Sequence, residues 1–492
     1  MPQISIIGSG FSGLSAACYA AKAGYDVTVF EKNSAIGGRA RSFSEDGFTF
    51  DMGPSWYWMP DVFEKFFADF GKKPSDYYEL VKLSPSFQIF FNEGAPLVVP
   101  SELNDLYTLF ESIEKGSAAR LRDFMAEGEL KYKVAMKSLI YKPSNSWAEF
   151  ASVEVISAAL KTDIFRSMGA YTRSFFKDPR LISLMEFPVI FLGAMPDKIP
   201  ALYSLMNYSA YTMGTWYPMR GMFQIIKAME ELARSLGVKF QTGVPVEKIV
   251  VLEKKVTGLL LNQKLYKTDL VIASADYHHV EQHLLDEPSR NFKADYWDKK
   301  IMAPSSLIFF IGVNKKIKNL LHHNLLFDTD FNKHASQIYK TPQWPDEPLF
   351  YVSCPTKTDD TVAPDGMENL FILIPLAAGL KDEPALHESY FQKVINRLEK
   401  LCNDSIAGHV VYKKSYCLND FQQDYNAYKG NAYGLANTLG QTAVFKPGIR
   451  NKKVKNLFYA GQLTVPGPGV PPALISGKIA ANEAIKHLTK TR

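Results

Sequence analysis

Cysteine is scarce: Cys18, Cys354, Cys402 and Cys417 are the four in 492 residues, widely separated and without a C-x-x-C pair. That spacing excludes a disulfide framework and offers no zinc pattern, so a reducing cytoplasm is the expected setting. Blocks of Lys and Arg are also missing. A net charge of +5 over this length is mild, which argues against a nucleic-acid partner but leaves a slightly basic surface suited to anionic lipid. No uninterrupted apolar run approaches the ~18 residues of a membrane span. The opening MPQISIIGSG has no basic n-region or cleavage site, and its apolar run passes straight into a glycine turn, so it reads as a strand. No G-x-S-x-G nucleophile turn, internal repeat or low-complexity linker is found. What remains is a soluble or peripheral globular chain, long enough for two interwoven domains.

What is present is aromatic. Hydrophobic and charged contents of 46% and 22% are ordinary, but 13% aromatic, with 33 Phe and 25 Tyr, is rich. The surplus suits a large apolar ligand site as well as a core. Residues 3–7 form a short β-type run, GSGFSG opens a helical segment that Gly24 ends, and YDVTVFEK supplies a second strand. Gly8, Gly10 and Gly13 therefore stand as G-x-G-x-x-G between strand and helix. The first allows the tight turn, the second lets backbone approach a pyrophosphate, and the third lets the helix pack closely on the sheet. The helix N-terminus supplies free N–H groups for phosphates. Glu31, at the end of the second strand, is placed to hold a ribose hydroxyl.

The next segment, AIGGRARSFSEDGFTFDMGPSW, contains Gly37, Gly38, Arg39, Gly53, Pro54 and Ser55. A nicotinamide fold needs no second Gly-Gly-Arg turn, whereas FAD is longer and needs more support. Near the other end, NLFYAGQLTVPGPGVPPALISGKIAANEAI puts a strand, then a proline- and glycine-rich turn, before a last helix. Proline fixes φ and glycine permits close approach, so the turn reads as a rigid cradle. Pro471 and Pro472 fall where a helix tolerates proline, in its first turn.

These stretches, with FDMGPSW and YPMRGMFQIIKAMEELARSLGVKF, resemble in their order the bacterial phytoene desaturase family of carotenoid desaturases. The family's usual Thr-His-Pro-Gly core is replaced by Leu463, Thr464, Val465, Pro466 and Gly467. The resemblance implies an α/β fold, a Rossmann-type FAD-binding domain like that of the amine oxidases interwoven with a mixed α+β substrate domain. It implies FAD held by Gly8, Ser9, Gly10, Ser12, Gly13, Glu31, Lys32, Gly37, Gly38, Arg39, Gly53, Pro54, Ser55, Val246, Gly461, Gln462, Gly469 and Val470. It further implies dehydrogenation of a long polyene, phytoene or a later, hydroxylated intermediate, with hydride passing to flavin. A quinone or oxygen would serve as electron acceptor. No proton acceptor and no other catalytic residue is legible. A flavin amine oxidase and a flavin-free prenyl-binding escort protein are the alternatives, the second opposed by the intact Gly10, Glu31, Gly38 and Arg39.

The resemblance and the strand pattern assign 1–95, 218–290 and 435–492 to the FAD-binding domain and 96–217 and 291–434 to the substrate domain. The apolar stretch 181–217 is broken by Pro188, Pro196 and Pro200 too often for a spanning helix. Its Phe187, Phe191, Leu192, Met195, Leu202 and Trp216 are candidates for peripheral contact with a membrane. His278, His279, Glu281 and His283 imitate a metal cluster but have no complementary ligand motif, so no metal is expected. His322 and His323 read as part of a polar loop.

Overall fold

The computed structural model describes residues 2–150, 155, 162–164, 166–190 and 193–491. The first thirty residues fold as the glycine spacing dictates. Strand β1 (Gln3–Ile7) leads through the turn into helix α1 (Phe11–Lys22), which hands over to strand β2 (Asp26–Phe30). Both strands are buried beyond their first residue, as expected of a parallel sheet covered on both faces. Three further strands complete an all-parallel sheet in the order 457–459, 270–273, β1, β2, 239–241. Helix α1 is clamped between the sheet, the helix Phe223–Ser235 and the final helix Val470–Thr491, and this layer shares one core that includes Leu14, Val29, Met229, Ile272 and Ile475.

A second, seven-stranded sheet runs in the order 410–416, 305–313, 368–376, 350–353, 323–327, 87–91, 97–99. It is antiparallel except where Asn324–Phe327 lie beside Gln88–Phe91. The helix Pro384–Cys402 packs one face of this sheet through Phe391, Val394 and Leu398. Against the other lie the helices Ser117–Ser138 and Met168–Phe175, together with Pro179–Ile190, which carries Pro188 in its interior.

The domain order is interwoven, and one boundary needs correcting. Phe87–Phe91, placed by its position before residue 95 with the nucleotide part, is hydrogen-bonded into the seven-stranded sheet. Phe87, Ile89 and Phe90 are buried there, and a strand follows the faces it can bury rather than its neighbours in sequence. Among the described residues, no helix is long and apolar enough to cross a membrane.

Candidate cofactor and substrate site

At the first turn the local chemistry is set by what is missing. Gly8 sits at φ +97°, a backbone shape that side chains rarely adopt, and its N–H donates to Phe30 O at 2.8 Å. A β-carbon on Gly13 would fall inside 3.0 Å of Gly8 O, so the helix packs as closely as glycine permits. A β-carbon on Gly10 would meet nothing within 4 Å. The turn is closed beneath and open above. No side chain caps α1 and no acidic residue lies in its first turn, so the N-terminal partial positive charge is left for a ligand.

Glu31 braces this turn as well as facing the open side. Its carboxylate accepts Ser9 N–H at 3.0 Å, Ser9 Oγ–H at 2.7 Å and Asn33 N–H at 2.9 Å. Ser12 Oγ lies 2.7 Å from Ser274 Oγ. Lys32 Nζ donates to Gln423 O and Asn426 Oδ1, away from the turn. Gly37 and Gly38 take positive φ, and Gly38 lies against Gly10 Cα. Arg39 donates from Nη2 to Asn431 O at 3.1 Å and covers the Tyr425 ring at 5.1 Å, yet its buried Nε has no partner. Burial lowers its pKa, which Asp276 partly opposes. An anion beside it would relieve that cost.

All but one of the predicted site residues border a single cavity of about 1130 Å³. The exception is Gly13, whose place is beneath the turn. At the C-terminal side the cavity is walled by Gly461, Gln462, Pro466, Pro468, Gly469 and Val470, with Val246 on another edge. Gly461, Gly467 and Gly469 all have φ above +100°, and the final helix starts immediately after them. Gly477, inside that helix, was not singled out from sequence. A β-carbon there would collide with Ser12 O, and its helical neighbours give no hint of so distant a contact.

The same cavity continues between Trp56, Trp58, Phe187, Leu325, Phe327, Phe350, Phe371 and Leu373. The carboxylates that border the cavity, Glu31, Asp276 and Asp424, all belong to its nucleotide end among the described residues. Phe187 is 2% exposed and packs on Trp56 and Phe87 at 5.3 and 5.4 Å between ring centres, so it is a wall of the cavity and not a surface anchor. Met195, Leu202 and Trp216 are half-buried, while Phe191 and Leu192 lie outside the described residues.

The histidines need one correction. His322 and His323 are not in a polar loop: they are 5% and 0% exposed, and His323 begins the strand His323–Phe327 beside the cavity. Their charge is suppressed by burial, which holds His322 down to about 3 and His323 well below the usual range. Sequence alone gives adjacent histidines a polar reading because the aromatic neighbours that bury them come from distant strands. In the second group the imidazoles stay close, His278 and His279 lying 6.0 and 5.3 Å from His283 between ring centres. His279 borders the cavity, whereas Glu281 accepts Phe292 N–H at 2.9 Å and the Tyr459 hydroxyl in the core.

With this geometry in place, comparison with known proteins is decisive. The family model for flavin containing amine oxidoreductases matches residues 11–485. A carotenoid 3,4-desaturase of Haloarcula japonica is 39% identical over 99% of this chain and 98% of its own. The chain belongs to the flavin-containing amine oxidoreductase family, within its carotenoid desaturases. A zeta-carotene-forming phytoene desaturase of Myxococcus xanthus is 32% identical over 97% of this chain and 92% of its own. Among solved structures, an oxidoreductase from Methanosarcina mazei has the same fold, with a TM-score of 0.64 at 17% identity over 97% of this chain and 99% of that one. The protein is thus an oxidoreductase with FAD as cofactor. The unpartnered Arg39 Nε, the open face of Gly10 and the uncapped helix fit a phosphate-bearing cofactor.

Proposed function

We propose that this chain dehydrogenates a long polyene of the carotenoid class, introducing a carbon–carbon double bond. The observation that carries the proposal is the continuity of the cavity, polar and glycine-lined at one end and aromatic at the other, with no carboxylate at the aromatic end among the described residues. An amine would need such polar orientation; a featureless hydrocarbon needs shape and exclusion of water. The names of the relatives favour the same substrate class. FAD supplies the two-electron acceptor, and the protein positions and shields.

In this reading the N–H groups at Gly10–Ser12 take the pyrophosphate, with Gly8, Ser9 and Gly13 shaping the turn. Glu31 takes the ribose, and Arg39 with Gly37 and Gly38 takes the phosphate side. Gly53, Pro54, Ser55, Gly461, Gln462, Gly469 and Val470 frame the flavin, while Lys32 and Val246 border the adenosine end. The segments 1–95, 218–290 and 435–492 form the FAD-binding domain, less the strand Phe87–Phe91, and the remainder holds the substrate.

The protein works at a membrane surface, since a long polyene resides in the bilayer. Leu439 and Phe445 support this: each borders the cavity and is 49% exposed, which puts apolar side chains where the cavity reaches the surface. Liposome flotation of wild type and the pair Leu439→Lys, Phe445→Lys tests it. Unchanged flotation of the pair removes these residues from the role. The substrate assignment is tested by supplying phytoene and later carotenoids and following the product's absorption to longer wavelength. Oxidation of amines with every carotenoid unchanged would overturn it.

A further inference from the structure

The residues at the cavity wall hold one polar pair that the cofactor does not explain. Tyr351 borders the cavity, and its hydroxyl lies 2.7 Å from His323 Nδ1. His323 is fully buried, stacked on Trp56 with ring centres 4.0 Å apart, and its Nε2 has no partner. The Ser55 hydroxyl, in the segment that frames the flavin, stands beside the Tyr351 hydroxyl, as does Ser353. A purely structural side chain at position 323 would not require an imidazole with one nitrogen left unsatisfied among aromatic rings, a cost of the kind usually avoided in cores. What the arrangement does provide is a tyrosine in the cavity wall with a base 2.7 Å from its hydroxyl.

We propose that the Tyr351 hydroxyl is the proton acceptor of the dehydrogenation and that His323 is the positioning residue which takes the tyrosine proton in turn. This rests on the polyene reading above. As one carbon gives up its hydrogen with the bonding pair to the oxidant, FAD, the neighbouring carbon releases a proton to Tyr351 Oη. The Tyr351 O–H proton passes to His323 Nδ1, and the electrons of the second C–H bond close the new double bond. Two hydrogens and two electrons leave the substrate, one hydrogen with both electrons and one as a proton. A polyene that has lost hydride is a strong acid, so a base held neutral by burial still accepts from it. The imidazole accepts in the tautomer that carries hydrogen on Nε2, with Tyr351 donating to Nδ1.

Tyr351→Phe removes one oxygen and keeps the ring, and His323→Gln can accept a bond from Tyr351 without taking its proton. Flavin content and polyene binding are measured first, by the flavin absorbance and by the polyene's own spectral shift, and both are expected to match wild type. The rate of anaerobic flavin bleaching in a single turnover is then expected to fall about 10²-fold or more in each variant, the usual range for a lost general base. The isotope effect from deuterium on the proton-losing carbon is expected to rise. Independently of turnover, the His323 signal in selectively ¹⁵N-labelled protein, identified by its disappearance in His323→Gln, is expected to shift in Tyr351→Phe. Wild-type bleaching with an unchanged isotope effect in Tyr351→Phe would overturn the proposal, and so would loss of flavin, which would make the pair structural. If wild type itself is bleached by no polyene, the substrate reading fails instead.

Discussion

The two ends of the cavity are built by opposite means. At the nucleotide end the deciding residues have little or no side chain, and their positions are fixed by contacts of backbone on backbone: Gly13 on Gly8, Gly53 on Arg39, Gly477 on Ser12. At the polyene end the deciding residues are large rings whose contacts are shared among many partners, as Trp56 shares with Trp58, Phe87, Phe187, His323 and Tyr351. A ligand with phosphates and a fixed outline calls for directed donors at fixed places. A hydrocarbon calls for volume, which several combinations of side chains can supply. The first end should therefore fail abruptly under substitution and the second gradually.

Gly13→Ala is expected to have the largest effect. Its β-carbon would collide with backbone on a neighbouring element, which cannot move aside as a flexible side chain could, so a loss above about 4 kcal/mol and no recoverable flavoprotein are expected. Gly10→Ala is the control that sharpens the point. Gly10 has φ −74° and open space above it, so this variant should fold and melt like wild type while losing FAD affinity. Expression, thermal melting and flavin titration decide both. A folded, flavin-loaded Gly13→Ala protein would break the contrast.

Next in size is Glu31→Ala. Its carboxylate holds three donors around the turn, and removing a charge-assisted bond should weaken FAD binding by about 1.5–3 kcal/mol. Equilibrium dialysis against FAD measures it. An affinity equal to wild type would mean that the backbone turn alone suffices.

That end was legible in the sequence because its information is local: three glycines, a carboxylate and a cradle lie within short stretches whose spacing has one physical use. The last helix and its proline-rich approach could be read for the same reason. The aromatic end was not. His323 was read as a loop residue because the partners that bury it, Trp56 and Tyr351, come from remote segments. Phe87–Phe91 was grouped with the nucleotide part because pairing between strands more than 200 residues apart leaves no mark on either. Phe187 was read as a candidate for membrane contact and proved to be buried, since an apolar residue in a proline-broken stretch carries no directional signal.

A third test probes the seam between the ends. Lys446 is buried beneath the cradle with its Nζ unpartnered, close to the unpartnered Asn437 Oδ1 around Gly467. Burial, aided by Lys300, lowers its pKa from 10.5 to about 7. Between those values the unfolded chain holds a proton that the folded one does not, so stability rises with pH across this window and is lost as pH falls through 7. Lys446→Met is expected to remove that slope and to raise stability at neutral pH by about 1–3 kcal/mol, the cost of an unsatisfied buried group. Denaturant melts at pH 7 and pH 9 measure both. A slope that persists in the variant would assign it to other groups.

The smallest effect belongs to Phe187→Leu, and it tests whether the aromatic end behaves as a volume. Phe187 contributes one wall of the cavity, an edge contact to Trp58 and tilted ring contacts to Trp56 and Phe87. Leucine keeps the wall apolar while giving up part of the ring's bulk, and because the side chain already borders open space little new void has to be created. A stability loss of about 1–2 kcal/mol is expected, below that for a truncation to alanine. FAD affinity should be unchanged, since no glycine contact or phosphate donor is touched. The altered width should instead shift preference between polyenes by about tenfold or less, the range accessible to small changes in an apolar pocket. Paired measurements of FAD affinity and of relative rates on two polyenes separate the cases. If Phe187→Leu weakened FAD binding as strongly as Glu31→Ala, the cavity would act as one mechanical unit and the division between directed donors and shared volume would not hold.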